Sequence, residues 1–369
     1  MTTPAEEQAA ARRAIWPRAL LALALGTGGG WLASLAGLPL PWMIGAMLAT
    51  TLAAVAGLPV ALWQRLREGF VVVLGVMLGS SFTPEIAAQL PGWGLSIVIL
   101  CVYTVVAGGL GAWFFHRIAG YDRITSYFSA MPGGLSVMIF VGEAMGGDSR
   151  LISLTHASRL LLVVLILPFA FQLFMGYDPA ERPDAGPALG ALGGFDVLVL
   201  SASGVVGWVG ARLLRVPAPA VVGPMLLSAA VHLGGVIEAG PPQVLVAAAQ
   251  VVVGSALGCR FAGTAVALIG RTILWAAGGT VVLLGTAVAA AWAGHLATGL
   301  PVLELTLAYS PGGLAEMSLV ALALGLEAAL VATHHIVRIF LIVVFAPLAF
   351  RLARERLERN AGRPNRPSG

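Results

Sequence analysis

Apolar residues run in blocks along nearly the whole chain, broken by short gaps that carry Pro, Gly and Arg. About 20 apolar residues of helix cross the hydrocarbon core of a bilayer, so blocks of that length predict membrane-spanning helices. In the first half they fall at about 17–37, 40–58, 69–90, 94–115 and 151–174, with an interrupted apolar stretch at 124–146. In the second half they fall at about 195–214, 218–237, 243–259, 272–297 and 327–350, with an interrupted stretch at 303–325. The first block follows Arg12 and Arg13 as a secretory leader would, but its counterpart at 195–214 is internal and cannot be cleaved, so both read as helices.

Composition sharpens this reading. Hydrophobic residues make up 58% of the 369 and charged residues only 10%, with a mean hydropathy of +0.91, whereas a soluble domain carries about 25% charge. A soluble two-domain enzyme and a disordered chain are both excluded. All 21 basic residues are Arg, concentrated in the tails and in the gaps between blocks. Loop charges explain the pI of about 9.6 better than nucleic-acid binding, because no basic domain lies outside the membrane blocks. Cys101 and Cys259 sit in or beside apolar blocks and offer neither metal spacing nor a disulfide framework.

The chain repeats itself with a period of about 179 residues. Pro39-Leu-Pro41 with Gly45 and Met47 recurs as Pro217-Ala-Pro219 with Gly223 and Met225. Gly75, Gly79 and Phe82 recur as Gly254, Gly258 and Phe261. Pro132-Gly133-Gly134-Leu135 recurs as Pro311-Gly312-Gly313-Leu314, and His156 with Arg159 as His335 with Arg338. Arg placement selects the relation between the halves. With six crossings per half, the gap arginines divide evenly, five on each side. If the interrupted stretches dip in and return, each half has five crossings, the repeats are inverted, and nine of the ten (all but Arg182) lie on the cytoplasmic side. The expected architecture is therefore an all-α polytopic membrane protein of about ten full transmembrane helices in two inverted repeats of five. Its segments are a cytoplasmic tail at 1–16, a first repeat at 17–174, an external linker at 175–194, a second repeat at 195–350 and a basic cytoplasmic tail at 351–369.

Both interrupted stretches break at the same motif. Pro removes a donor and Gly unwinds the chain, so Pro132, Gly133 and Gly134, like Pro311, Gly312 and Gly313, leave backbone groups unpaired at membrane depth. Such groups are tolerated only in protein or against a wet cavity. Helices starting after these breaks would aim their N–H groups at an anion, which makes the six residues substrate-binding candidates; the competing reading is a tight turn in a packed hairpin. Arg159 and Arg338 stand inside apolar runs and are candidates for the same site, the alternatives being snorkelling to an interface or capping of the hairpin carbonyls. His156 and His335, three residues earlier on the same helical face, and Glu316, five residues after Pro311, are candidates for ion coupling. Glu316 aligns with Val137, so the site is asymmetric in charge. His334 beside His335 has no third ligand and points about 100° away from it on a helix, so no metal is expected. No P-loop, dinucleotide loop or catalytic signature is present, and no cofactor is expected.

The stretches Leu-Pro-Leu-Pro-Trp-Met-Ile-Gly at 38–45, Met-Pro-Gly-Gly-Leu-Ser at 131–136, Ser-Pro-Gly-Gly-Leu-Ala-Glu-Met at 310–317 and His-His-Ile-Val-Arg at 334–338 resemble the AbrB-type membrane protein family of bacteria. The resemblance covers about 17–350. It implies a membrane "AbrB duplication" in a polytopic inner-membrane protein, often labelled an ammonia monooxygenase or a regulator. The chain shows no copper or iron ligand set for the former. The expectation is thus an ion-coupled secondary transporter of a small, anionic solute across the bacterial inner membrane, both termini cytoplasmic. It is not expected to be an enzyme or to bind nucleic acid; its partners are the solute and the bilayer, and a homodimer is allowed. A membrane scaffold or sensor, and a membrane oxidoreductase, are the alternative readings.

Overall fold

The computed structural model describes residues 4–175 and 186–361. Among these the chain is helical, with no strand. The first half comprises α1 (Pro4–Leu35), α2 (Pro41–Val55), α3 (Gln64–Ser80), α4 (Pro84–Gln89), α5 (Gly94–Arg117), α6 (Arg123–Ala130), α7 (Leu135–Ala144) and α8 (Ser149–Met175). A 3-10 turn at Leu90–Trp93 joins α4 to α5. The second half repeats the order as α9 (Gly194–Leu213), α10 (Pro219–Leu233), α11 (Gln243–Gly258), α12 (Val266–Thr298), α13 (Val302–Tyr309), α14 (Leu314–Ala323) and α15 (Ala328–Ala361). The acidic linker residues Asp178, Glu181 and Asp184, with Arg182, lie outside the described residues.

Six described stretches are long and apolar enough to cross a membrane: Pro84–Arg117, Ser149–Leu173, Gly194–Leu213, Gln243–Phe261, Val266–Thr298 and Ala328–Phe350. The ten spans expected from the sequence are thus not reached on length and composition alone. Four expected spans fall outside the six: α1, and the short helices α2 and α10, with 15 residues each, and α3, with 17. At 1.5 Å per residue the three short helices reach about 22–26 Å, short of a hydrocarbon core of about 30 Å. The expected block at 69–90 is also cut at Ser80. Pro84 opens a new helix there, where its missing N–H is no loss, and the following block is extended backwards into a 34-residue span.

Apolar side chains cover the outside of the bundle. Val105 of α5 is 73% exposed, Val281 and Leu296 of α12 are 67% and 79% exposed, and Leu213 of α9 is 77% exposed. Continuous apolar surface on this scale suits lipid and not water. The chain is a multi-pass membrane protein.

Inside, glycines let backbones meet. Gly29 of α1 faces Gly45 of α2, and the equivalent Gly207 of α9 faces Gly223 of α10. Gly75 and Gly79 of α3 lie against Val221 and Met225 of α10, where a Cβ would stand 2.6 Å and 2.5 Å from the two carbonyl oxygens. The equivalent Gly254 and Gly258 of α11 lie against Met43 and Met47 of α2. Residue numbers rise together in both contacts, so α3 is parallel to α10 and α11 is parallel to α2. Each half lends its α2 or α10 to the other half's glycine helix. In contrast, α5 and α12, which are equivalent in the repeat, run antiparallel: Gly111 neighbours Leu283 while Phe115 neighbours Gly279.

These contacts predict a sharp difference between glycines. Gly75→Leu should lower the melting temperature of the detergent-purified protein by several degrees, because overpacking against fixed backbone costs about 1–3 kcal/mol. Gly109→Leu, where a Cβ meets nothing within 4 Å, should leave it within about a degree. Equal effects would show that the α3–α10 approach does not hold the halves together.

Candidate functional site

Both interrupted stretches fold into helical hairpins. In the first, Asp122 caps α6 by accepting from the Ile124 and Thr125 N–H groups at 2.9 Å. The chain leaves the helix at Met131, passes Pro132 and Gly133, and turns at Gly134, whose φ of +63° favours glycine. Helix α7 then runs back along α6, with Gly142 beside Phe128 and Gly147 beside Ile124. The Asp148 N–H donates to Thr125 Oγ1 at 2.9 Å and closes the base. In the second hairpin, α13 ends at Tyr309 and the chain passes Ser310, Pro311, Gly312 and Gly313 before α14. Here Gly313 is extended, with φ −83° and ψ 154°, so the two breaks are equivalent in sequence but not in backbone.

A helix that stops inside a membrane protein leaves its last carbonyls without donors. In both hairpins the following long helix supplies those donors from one face. His156 of α8 donates from Nε2 to the Phe128 carbonyl at 2.8 Å. Arg159, one turn on, donates from Nη1 to Ser129 and Ala130 at 3.1 and 3.3 Å, and from Nη2 to Met131 at 3.0 Å. In the second half, His335 of α15 donates to the Leu307 carbonyl at 3.0 Å. Arg338 donates to Tyr309 at 3.3 Å, to Ser310, and to Gly312 at 2.7 Å. The H-x-x-R motif is therefore the cap of the broken hairpin, one of the alternatives that the sequence leaves open.

The same bonds fix the imidazoles. Arg159 Nη2 lies 2.8 Å from His156 Nδ1, and Arg338 Nη2 lies 2.9 Å from His335 Nδ1. A guanidinium only donates, so each Nδ1 accepts and each histidine is the neutral Nε2–H tautomer. Neither ring can take a second proton without giving up its arginine.

The two guanidinium groups converge. Arg159 and Arg338 are 3% and 1% exposed, lie within electrostatic range of each other, and flank Tyr103 of α5. Their hydrogen-bond partners are carbonyls and histidines, with no carboxylate among the described residues, and Nε of each is buried without a partner. Glu316 is 6% exposed and folds its carboxylate back over Gly313, where a Cβ would collide with Oε2. Its electrostatic partner is Arg260, beyond the end of α11, rather than Arg338. Glu143 is exposed. The structure thus gathers Arg159, Arg338, the two histidines and both breaks, with Glu316 set to one side.

Sequence reading missed one buried network. His334 is fully buried and donates from Nδ1 to the Leu330 carbonyl at 2.8 Å, leaving Nε2 to accept from Ser96 Oγ at 2.8 Å. Tyr309 O–H donates to the Ser96 carbonyl at 2.8 Å, and its ring stacks on Tyr103 with centroids 5.7 Å apart. His334 and His335 thus serve different partners on different faces of α15. Among the described residues no group of three or more His, Cys, Asp and Glu side chains converges.

The chain is similar to known proteins over most of its length. The chain is 27% identical over 356 residues to the protein YhjN of Bacillus subtilis (strain 168), covering 89% of this chain and 91% of that protein. It is 25% identical over 319 residues to "Putative regulator AbrB" of Escherichia coli (strain K12), covering 85% and 90%. Residues 42–354, which include both glycine helices, both Pro-Gly-Gly breaks and both H-x-x-R caps, match the family described as AbrB, transition state regulatory protein AbrB, and the chain belongs to that family.

Proposed function

We propose that this protein is an ion-coupled secondary transporter of a small anionic solute, lying in the bacterial inner membrane with both termini in the cytoplasm. The observation that carries the reading is the pair of broken hairpins whose H-x-x-R caps meet in the interior and bring two buried cations together without a carboxylate. Uncompensated buried charge is expensive, and a pair of guanidiniums with free Nε donors is compensated by an anion. Pro132, Gly133, Gly134 and their equivalents Pro311, Gly312 and Gly313 line the same place, with Arg159 and Arg338 as the charges that the solute meets.

Helix directions support an inverted arrangement of five crossings per half. The equivalent helices α5 and α12 are antiparallel, as a two-fold axis in the membrane plane requires. The parallel pairs α3–α10 and α2–α11 fit only an odd number of crossings between them and their equivalents, which the returning α6–α7 hairpin provides. On this reading the short α2, α3, α10 and α11 cross the thin, protein-lined centre, and the long α5 and α12 face lipid. Of the three coupling candidates the coupling role is assigned to Glu316, since both histidines are committed to carbonyls and arginines.

A second reading, a scaffold or sensor, draws on the fact that every Nη group serves as a hairpin cap. The break itself separates the two. Gly133 has an ordinary φ, and a Cβ there meets only the mobile end of Ile342 at 3.3 Å. Gly133→Leu should fold with a melting temperature within a few degrees of wild type and lose at least about tenfold in solute uptake by proteoliposomes, because its side chain fills the space beside the break. Uptake at the wild-type level would assign the hairpin to architecture.

Orientation is tested separately. In a background without Cys101 and Cys259, single cysteines at 180 and 240 should react with an impermeant maleimide added outside, and those at 66, 120 and 214 should not. Labelling at 214 but not at 240 would overturn the inverted arrangement. The sign of the solute is tested at Glu316: removing its charge in Glu316→Gln should strengthen protection of the purified protein by small carboxylates. Protection by cations that disappears in Glu316→Gln would mean a cationic solute instead.

A further inference from the structure

Two cavities lie at opposite ends of α3. One, of about 370 Å³, is lined by Met77, Ser80, Ser81, Gly240, Pro241 and Glu327 among others. The other, of about 400 Å³, is lined by Ala61, Leu62, Trp63, Gln64, Arg67, Ala256, Cys259 and Arg260. They are equivalents under the repeat: Ala61, Leu62, Cys259 and Arg260 occupy the positions of Gly240, Pro241, Ser80 and Ser81. Their charge is not equivalent. Arg260 stands where the first half has Ser81, and Arg67 stands where the second half has Val246.

We propose that the cavity between α3 and the end of α11 is a second binding site, specific for an oxyanion, carboxylate or phosphate, held between Arg67 and Arg260. Both side chains line one half-open cavity, and they repel each other across it. Nε of Arg67 is buried with no partner. Trp63 precedes α3 without any side-chain cap, so the N–H groups of its first turn add donors from the same wall. Glu68 does not serve as the counter-charge to this wall, being bonded to Gln64 Nε2 at 3.0 Å on the exposed side. Among the described residues the carboxylate in electrostatic range of Arg260 is Glu316, which reaches it from the tip of the second hairpin. An anion in this cavity competes with Glu316 for Arg260, so its binding is linked to the contact that ties the hairpin to α11. The bland reading is that Arg67 and Arg260 are loop charges that set membrane orientation, and such charges need no cavity. The site is separate from Arg159 and Arg338, and the inference does not depend on transport.

Cys259 lines the cavity, which gives a direct readout in the full-length protein. In a Cys101→Ser background, maleimide labelling of Cys259 should be slowed saturably by inorganic phosphate or succinate, with chloride at matched ionic strength as the control. Arg67→Gln and Arg260→Gln should each raise the half-protecting concentration roughly tenfold or more, as loss of a charge-assisted hydrogen bond predicts. Glu316→Gln should lower it, and Ser80→Ala in the equivalent cavity should leave it unchanged. Short-chain phosphatidylglycerol, with phosphatidylcholine as control, separates the sources: protection by the lipid alone makes the oxyanion a headgroup, and protection by free phosphate or succinate makes it a soluble anion. No saturable protection by any of these in the Cys101→Ser protein, or equal protection in folded Arg67→Gln and Arg260→Gln, overturns the site.

Discussion

Everything at the centre of this protein follows from carbonyls that have lost their donors. A helix that breaks at Pro-Gly-Gly inside a membrane protein exposes the last carbonyls of its first segment, and each costs several kcal/mol if left bare in hydrocarbon. The remedy is the same in both halves. A histidine and an arginine three residues apart on the next long helix reach the same end of the break, together covering four carbonyls around each turn. The requirement fixes the residue types. Only a guanidinium has enough fixed donors to serve several carbonyls and a histidine at once. Only a neutral imidazole can donate to a carbonyl from one nitrogen and accept from arginine with the other.

That solution imports charge. A lysine or an amide would leave carbonyls unmet, so the protein buries two cations to satisfy dipoles, and the halves pack so that these cations approach each other around Tyr103. Carbonyl dipoles at helix C-termini are favourable partners for a cation, but they do not cancel its charge. What is left over is an interior of positive potential in a region of low dielectric, which is the physical reason for reading the site as an anion's. Glu316 interacts with Arg260 and bonds neither guanidinium.

Much of this is legible in the residues alone. Period-179 clusters mark the repeat, Pro and Gly mark the breaks, and the gap arginines favour a returning hairpin over a sixth crossing. The Phe128–Gly142 and Ile124–Gly147 neighbours then agree with that hairpin in the first half. Less legible is what the motifs do. The H-x-x-R pair and the carbonyls it caps are separated by 26 to 30 residues, and no periodicity links them. Of the four expected spans that fall outside the six, α2, α3 and α10 do so because hydropathy measures apolar length and not helix length; the Pro84 boundary and the turns at Gly57 and Gly235 cut the blocks short. His334 is set aside as a metal candidate for want of a third ligand, and its actual role is not legible because its partner, Ser96, lies 238 residues away. The Arg67–Arg260 cavity is invisible for the same reason: it assembles from opposite halves, and in sequence each arginine is a loop charge.

The halves share a pattern but not an arrangement, and the difference is concentrated in the hairpins. Helix α14 is buried over nearly its whole length and packs on α3, whereas Phe140 of α7 is 74% exposed. Helix α12 packs broadly against α8, and the equivalent contact of α5 with α15 is narrower. Near-identical turn chemistry has therefore settled into two environments, with Gly134 left-handed in one break and Gly313 extended in the other. On the transporter reading proposed above, two repeats in two environments are what alternating access needs, since exchanging their states would turn the molecule inside out about its own pseudo-symmetry. Val137 in place of a second glutamate means the exchange is not energetically neutral: the hairpin carrying Glu316 has an attraction to Arg260 that the other lacks. On the same reading, a ligand that competes for Arg260 would shift the balance between the two states by as much as it weakens that contact.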